Sequence, residues 1–372
     1  MDKFILKSNN NAYKIGFGTL GLTKSDTPEI ILEAIKCGYR YIDTAQSYFN
    51  EEMCGIALQK AIDEKIVTRN ELFITTKLSP HRYNDYENTI KYVKESFNKL
   101  GLDYIDLFLI HHPNTTPDDR WKNLNAEIWR ALEEFVEQGK IKYIGVSNFS
   151  SFHLKELLKT AKIKPVCNQS ELSPMWHQQE MVDFCKKENI LMIAWQPLGG
   201  RQLLKNKNEI NNASKINRTP AQVCLRWSIQ KGYIPVVKSS NKERIASNFN
   251  IFDFKLSDED IAILDDLNSN SATHFTINDS YRLWSYYDRL NLKQYVSSTK
   301  IKLFNLFTIF LYKNIDDKIK KIYLFKILHL FTIKLNKQNM QTAYLFGIFP
   351  VFTIKIRKSE KRLSMKWLPD YD

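Results

Sequence analysis

Short apolar runs alternate with amphipathic segments through the first 250 residues of the chain. Eight runs have the length and apolar character of strands buried on both faces. They cover residues 15–19, 39–43, 72–77, 104–110, 141–146, 165–169, 190–195 and 233–237. Between them, apolar residues recur at helical spacing in segments such as 28–37, 84–99, 125–138 and 177–188. This alternation predicts an α/β fold, a closed parallel (β/α)8 TIM barrel.

Further elements flank the predicted barrel. Residues 4–14 precede the first strand and predict an N-terminal β-hairpin over the bottom of the barrel. Ser257, followed by three acidic residues and an apolar run, is typical of an N-capped helix. We therefore assign residues 1–270 to the barrel and residues 271–372 to a C-terminal extension.

The extension contains an internal repeat. Residues 321–334 align with residues 342–355 at an offset of 21, and residues 303–309 resemble a degenerate earlier copy. Its Lys-interrupted apolar runs are shorter than the ~20 residues of a transmembrane helix. They suit weak contact with an anionic membrane surface through residues 300–366. A hairpin or helical appendage packed on the barrel, or a fused segment without a role, are the alternatives.

The charge of the chain is concentrated in this extension. Residues 291–372 hold 16 Lys and Arg against 5 Asp and Glu, a balance of +11 in a chain of net charge +13. The barrel is therefore nearly neutral, and we expect no nucleic-acid partner. Any argument about polyanions or membranes applies to the extension alone.

The cysteines and the N-terminus favour a cytoplasmic protein. Peripheral association with the inner membrane surface is the further expectation for its location. The five cysteines at positions 37, 54, 167, 185 and 224 show no CxxC spacing and are expected to be reduced, buried thiols. Residues 1–7 lack a long apolar core, so we expect no signal peptide. No metal site is expected.

Four side chains suited to carbonyl chemistry follow predicted strands. Asp43 ends the second strand, and Tyr48 comes five residues later. Lys77 ends the third strand, and His111 follows the fourth. Each alone is more often a structural or surface residue. The carboxyl ends of barrel strands share one rim, where barrel enzymes carry their catalytic groups, so we expect the four to meet there.

Together these side chains can activate a carbonyl group. A free phenol, with a pKa near ~10, donates its proton poorly at neutral pH. A nearby ammonium ion stabilises the phenolate, and a carboxylate keeps that ammonium charged and oriented. A histidine can align the carbonyl oxygen through a hydrogen bond. The set predicts C=O reduction with a separate hydride donor.

The chain resembles the aldo-keto reductase family from about residue 4 to about residue 267. The resemblance rests on residues 16–19 (GFGT), 43–48 (DTAQSY), 109–113 (LIHHP), 145–149 (GVSNF), 168–174 (NQSELSP), 197–199 (PLG) and 237–239 (VKS). It implies a monomeric (β/α)8 barrel that uses NADPH to reduce an aldehyde or ketone, with Asp43, Tyr48, Lys77 and His111 as catalytic residues.

The resemblance also assigns residues to the cofactor NADPH/NADP. The matching positions are Ser147, Asn148, Gln169, Trp195, Leu198, Lys238, Ser239, Asn241, Arg244 and Asn248. Trp195 stands where the family usually has a Tyr that stacks on the nicotinamide. Lys238 and Arg244 match a pocket for the adenosine 2′-phosphate, which favours NADPH over NADH. The chain has no GxGxxG fingerprint, so a Rossmann domain is not indicated.

Substrate-pocket positions depart from the family pattern. Leu20 and His112 each replace a frequent Trp, which predicts a more open and more polar pocket. Phe49, Trp121 and Trp176 are candidate aromatic walls, and we place Trp121 in a loop. The extension does not resemble the family's usual C-terminal loop, which closes over the substrate.

Two functions fit these observations. The first is NADPH-dependent reduction of an aldehyde or ketone, including small polar or sugar-derived carbonyls, to an alcohol with Tyr48 as proton donor. The alternative is an NADPH-binding regulatory or scaffolding barrel, associated with a membrane surface through its extension. The four candidate catalytic residues favour the enzyme, and the basic extension favours the alternative.

Overall fold

The computed structural model describes residues 13–79, 85–113, 120–200, 203 and 218–269, and six strand segments between residues 301 and 355. Residues 4–12 of the predicted N-terminal hairpin lie outside the described residues. The chain divides into two compact units, Met1–Leu290 and Asn291–Asp372, each of which is described by itself.

The first unit is built on eight parallel strands that close into a barrel in sequence order. The strands are β1 (Gly16–Gly18), β2 (Tyr41–Asp43), β3 (Phe73–Leu78), β4 (Ile105–Ile110), β5 (Ile141–Ser147), β6 (Cys167–Glu171), β7 (Leu191–Trp195) and β8 (Ile234–Val237). The pairing of Gly16 with Val236 closes the ring. The predicted TIM barrel is confirmed, with strand ends shifted by one or two residues.

Side chains that alternate along the strands fill the barrel interior. The cluster comprises Tyr41, Phe73, Leu107, Leu109, Cys167, Ile193, Ile234 and Val236. Gly16 has no room for a side chain, because a Cβ there would come within 2.9 Å of the Tyr41 ring. The interior is therefore packed, and a ligand has to approach from an end of the barrel.

Helices follow the strands and cover them from outside. Among the described residues they are α1 (Thr27–Lys36), α2 (Glu51–Asp63), α3 (Tyr86–Leu100), α4 (Arg120–Glu137), α5 (Ser151–Leu157), α6 (Gln179–Lys187), α7 (Pro220–Gln230), α8 (Lys242–Phe249) and α9 (Asp258–Asp265). No described helix is long and apolar enough to cross a membrane.

The helix boundaries follow from local chemistry. Ser257 caps α9 in a capping box with Asp260, which confirms the predicted cap. Helix α4 begins at Arg120, so the prediction of a loop around Trp121 was wrong. The helical repeat of Trp121, Ile128 and Leu132 extends one turn earlier than the predicted start, and all three side chains are buried.

The cysteines are unpaired thiols. Four are buried, as expected, whereas Cys37 is only half-buried. Burial raises the pKa of Cys54, Cys185 and Cys224 to about 12. These thiols therefore stay protonated and pack as small apolar groups.

The second unit contains a six-stranded antiparallel sheet. Its strands are β9 (Ile301–Leu303), β10 (Phe307–Asn314), β11 (Ile319–Leu324), β12 (Leu328–Leu335), β13 (Met340–Leu345) and β14 (Phe349–Lys355). The pairs β9–β10, β11–β12 and β13–β14 form three successive hairpins. Both strands of the third hairpin begin 21 residues after the corresponding strands of the second. Each hairpin has a register shift at the equivalent place. The sequence repeat is thus a repeat of β-hairpins.

Candidate active site

The predicted catalytic side chains meet at the carboxyl-terminal rim of the barrel. Asp43 is the last residue of β2, Lys77 lies near the end of β3, and His111 directly follows β4. Tyr48 ends a single 3-10 turn, Gln46–Tyr48, that begins three residues after β2. Parallel neighbouring strands place these positions side by side, which is why residues distant in sequence converge.

Lys77 is the centre of the cluster. Its ammonium group donates three hydrogen bonds, to Asp43 Oδ1 at 2.5 Å, to the Thr44 carbonyl at 3.0 Å and to the Tyr48 hydroxyl oxygen at 3.2 Å. An ammonium group has three N–H donors, so all three are used. The Lys77 side chain is fully buried, and its geometry is therefore set by these partners.

The charge state of Lys77 follows from opposing effects. Burial lowers the pKa of Lys77, but Asp43 and then Tyr48 act in the opposite direction, and the pKa ends above its usual value. The other carboxylate oxygen of Asp43, Oδ2, accepts hydrogen bonds from Gln169 Nε2 at 2.7 Å and from the Tyr41 hydroxyl at 3.4 Å. The phenol of Tyr48 thus lies beside a permanent, oriented positive charge.

His111 borders the same space from the next strand. Its ring lies edge-on to the Tyr48 ring at a centroid distance of 5.6 Å. The pKa of His111 lies well below its usual range, mainly because the ring is buried and secondly because His112 and Lys77 are close to it. The imidazole is therefore neutral near pH 7 and can present one N–H donor and one acceptor nitrogen.

The residues that the resemblance assigns to the nicotinamide end of the cofactor lie on the adjoining part of the rim. Ser147 ends β5, Asn148 follows it, Gln169 lies in β6, and Trp195 ends β7. Asn148 adopts a left-handed backbone, with φ of 60°, which Asn tolerates better than most residues. Its backbone N–H donates to the Gln169 carbonyl at 2.9 Å. Asn148 therefore turns the chain at the rim and places its amide beside Trp195.

Two departures from the family pattern are connected through Asn148. Trp195 Nε1 donates to Asn148 Oδ1 at 2.9 Å. On its other side, the Asn148 amide nitrogen lies 3.0 Å from His112 Nδ1 and donates to the His111 carbonyl at 3.0 Å. The unusual Trp and the unusual His thus hold the same amide from opposite sides. Leu198, three residues beyond β7, is partly buried against the core.

The residues matched to the adenosine end of the cofactor lie in the loop after β8 and in α8. Lys238 and Arg244 are exposed, whereas Ser239 and Asn248 are buried. Asn241 caps α8 by accepting from the Arg244 backbone N–H at 2.9 Å, and Ser239 Oγ accepts from the Asn241 N–H at 3.1 Å. A helix start of this kind attracts anions.

The electrostatics of this region also suit a phosphate. Partial desolvation of the Lys238 side chain, followed by the charge of Arg244, lowers the pKa of Lys238. Within the part of the chain that the structure describes, neither cation has a carboxylate partner, whereas the adjacent Lys242 pairs with Glu29 at 3.0 Å. Two like charges beside a helix N-terminus fit a bound dianion.

The predicted substrate-pocket residues differ in how far they are exposed to solvent. Leu20 is 39% exposed and Phe49 is 65% exposed. His112 is half-buried and stacks on His111 at a centroid distance of 4.6 Å. Trp121 is buried between α4 and α5, where its ring packs on Phe152 at 5.2 Å. Trp176 is also buried.

Sequence reasoning missed two participants. The Thr44 carbonyl accepts one of the three Lys77 hydrogen bonds. Ser47 Oγ lies 3.2 Å from His111 Nδ1. Both residues lie between Asp43 and Tyr48 in the sequence, and this position could have identified them as neighbours of the site. Among the described residues, no cluster of three or more His, Cys, Asp or Glu side chains could hold a metal ion.

The chain is similar to known proteins of one family. The family model described as the aldo/keto reductase family matches residues 14–269. The chain is 44% identical over 272 residues to glyoxal reductase of Bacillus subtilis, covering 72% of this chain and 94% of the relative. It is 43% identical over 249 residues to 9,11-endoperoxide prostaglandin H2 reductase of Trypanosoma cruzi, covering 66% and 84% respectively.

Solved structures give the same result. The crystal structure of a Bombyx mori aldo-keto reductase in complex with NADP matches with a TM-score of 0.65 and 34% identity, covering 72% of this chain and 92% of that one. An aldo/keto reductase from Brucella melitensis matches with a TM-score of 0.63 and 40% identity, covering 68% and 93%. The extension lies beyond the matched family region.

Proposed function

The chain belongs to the aldo/keto reductase family, and we propose that it reduces a small, polar aldehyde or ketone to the alcohol with Tyr48 as proton donor. The enzyme class and the cofactor follow from the family and its NADP-bound structural neighbour: the chain is an NADP-dependent oxidoreductase. The roles of individual residues and the choice of substrate are the proposal.

The observation that carries the proposal is the set of three hydrogen bonds made by Lys77. One ammonium group contacts both the Asp43 carboxylate and the Tyr48 hydroxyl. When Tyr48 releases its proton, the phenolate forms 3.2 Å from a positive charge that is already in place. Preorganised charge of this kind stabilises the developing anion without further rearrangement.

When bound, NADPH would supply the hydride that the carbonyl carbon accepts. Tyr48 gives its hydroxyl proton to the carbonyl oxygen, so that hydride and proton together convert C=O into CH–OH. His111 orients the carbonyl oxygen, and the half-buried Tyr48 recovers its proton from solvent. Ser147, Asn148, Gln169 and Trp195 would hold the nicotinamide, while Lys238 and Arg244 would hold the 2′-phosphate.

The preference for a small polar carbonyl rests on the rim residues. Leu20 and Phe49 are exposed, and His112 replaces an indole with a polar ring. The relative from Bacillus subtilis is named for glyoxal, a small polar carbonyl compound. These features favour substrates that need little apolar enclosure.

The proposal is tested with the full-length chain, NADPH and a panel of aldehydes that includes glyoxal. Tyr48→Phe keeps the ring but removes the proton donor, and general acid catalysis typically contributes ~10²–10⁴-fold to kcat. We therefore expect a loss of that order, with the Kd for NADPH within a few-fold of wild type. The matched control is Tyr104→Phe, which removes a phenol hydroxyl that contacts Asn70 away from the site.

Two results would contradict the proposal. If Tyr48→Phe kept half of its turnover, Tyr48 would not be the proton donor. If the wild-type chain bound NADPH but reduced no carbonyl of the panel, the regulatory or scaffolding function would replace the enzymatic one.

We further propose that the extension contacts an anionic membrane surface. Its net charge of +11 supports this, and Lys313, Lys334 and Lys355 recur at the same place near the ends of β10, β12 and β14. A repeated positive charge on consecutive hairpins suits a surface of anionic headgroups.

A further inference from the structure

The hydroxyl of Ser47 contacts the ring of His111. Ser47 Oγ lies 3.2 Å from His111 Nδ1, although the two residues are 64 positions apart. Ser47 occupies the middle of the 3-10 turn between Asp43 and Tyr48, and His111 begins the loop after β4. Neither the proposed proton transfer nor the proposed cofactor contacts use this hydrogen bond.

The turn that carries Ser47 is firmly held. The side chain of the preceding Gln46 donates to the Tyr92 carbonyl at 2.8 Å and to Ser96 Oγ at 2.9 Å, and it accepts from the Ser79 N–H at 3.0 Å. Gln46 is itself buried. The position of the Ser47 hydroxyl is therefore a property of the folded rim.

The contact bears on which nitrogen of His111 carries the proton. A neutral imidazole has one N–H and one bare nitrogen, and a partner on one nitrogen selects the tautomer. A carbonyl oxygen only accepts hydrogen bonds, so His111 can align it only from a protonated nitrogen. Since Ser47 engages Nδ1, Nε2 is the nitrogen left for the substrate.

We propose that Ser47 is a positioning residue that donates its hydroxyl hydrogen to His111 Nδ1 and so keeps the His111 proton on Nε2. The inference rests on the proposed function, in which His111 orients the carbonyl oxygen. In the opposite arrangement, Nδ1–H would donate to Ser47 and a bare Nε2 would repel the carbonyl oxygen. The two arrangements contain the same atoms and differ in a measurable way.

The tautomer is measured directly by 15N NMR on full-length protein labelled at histidine. The His111 signals are assigned with His111→Gln, and spectra are recorded near pH 7.5. We expect wild-type His111 to show a bare Nδ1 and a protonated Nε2, and Ser47→Ala to shift the Nδ1 signal. Ser150→Ala is the matched control, because Ser150 Oγ lies 3.0 Å from His153 Nδ1 and the variant should change His153 alone.

Kinetics provide the second arm. Ser47→Ala should lower kcat about three- to ten-fold, the range expected for one lost hydrogen bond of ordinary strength. The Kd for NADPH should stay unchanged, and Ser47→Thr, which keeps a hydroxyl, should restore most of the loss. Ser228→Ala deletes the same atom from a serine whose hydroxyl bonds within α7, and it should leave kcat unchanged.

The outcomes separate this inference from the proposed function. A wild-type His111 with its proton on Nδ1 would overturn the inference. So would a Ser47→Ala variant with unchanged His111 signals and unchanged kcat. Loss of activity that Ser47→Thr fails to restore would equally count against it. If wild type reduced no carbonyl, the proposed function would fail, and the wild-type tautomer would still decide the role of Ser47. If Ser47→Ala did not fold, the wild-type tautomer and Ser47→Thr would decide.

Discussion

Replacement of Lys77 by Met tests whether the buried ion pair determines both stability and catalysis. Met has a similar length but no charge, so Lys77→Met removes the hydrogen bonds to Asp43 and Tyr48 with little change in volume. The Asp43 carboxylate would stay buried, with Gln169 and Tyr41 as its remaining side-chain partners. An uncompensated buried charge of this kind destabilises the folded state.

The expected magnitude follows from the burial of both partners. Lys77 is fully buried and Asp43 is 2% exposed, so solvent screens the pair little. Breaking a buried pair by removing one partner typically costs about 3–5 kcal/mol in the free energy of unfolding. The double variant Lys77→Met with Asp43→Asn leaves no buried charge, and we expect it to recover at least half of that loss.

Activity should behave differently from stability. Both variants lack the ammonium group beside Tyr48, so we expect kcat to fall by at least ~10²-fold in each. The double variant would therefore be a folded but inactive barrel. This separation distinguishes the electrostatic role of Lys77 from its contribution to packing.

The assay is chemical denaturation at pH 7 and pH 9, together with NADPH oxidation at pH 7. Although burial lowers the pKa of Lys77, Asp43 and Tyr48 raise it above its usual value. A raised pKa means that the contribution of Lys77 is complete below ~10.4 and lost only as the pH rises through the higher folded-state value. The difference in the free energy of unfolding between wild type and Lys77→Met should thus be the same at both pH values. A loss below 1 kcal/mol, or a double variant no more stable than the single one, would refute the reasoning.

Three further predictions concern the cofactor, the extension and pH. Lys238→Ala with Arg244→Ala should raise the Kd for NADPH far more than that for NADH in a fluorescence titration, and equal losses would exclude recognition of the 2′-phosphate by this pair. Truncation after Arg289 should leave a folded barrel that oxidises NADPH with an aldehyde but no longer binds anionic vesicles, and unchanged vesicle binding would exclude the membrane contact. Burial lowers the pKa of His153 from 6.5 to about 3, so stability should fall as the pH drops through this window by up to ~1.4 kcal/mol per unit. Denaturation of His153→Gln should show a shallower dependence there, and an equal slope would contradict the assignment.

The fold was predictable because its signals are local. Continuous apolar runs of strand length, separated by helical periodicity, admit few architectures other than a parallel barrel. Ser257 and Asp260 determine the start of α9 through a cap that involves only neighbouring residues. The hairpins of the extension were not predictable in the same way, because short apolar runs interrupted by Lys fit strands and helices alike.

The location of the candidate site was also contained in the sequence. Asp43, Lys77 and His111 each end or follow a strand, and parallel barrel strands bring such positions to one rim whatever the intervening loops. The order and spacing of these residues were therefore enough to expect a cluster with Tyr48.

Only the tertiary structure decided which atoms meet within that cluster. Gln169, matched by sequence to the cofactor, donates to Asp43 across 126 positions, and the Asn148 amide lies between Trp195 and His112. Sequence periodicity places a residue on a strand end, but its hydrogen-bond partner depends on side-chain directions and on packing against distant strands. The contact between Ser47 and His111 was likewise not predictable from the sequence, because it forms only when two separate loops fold onto the same rim.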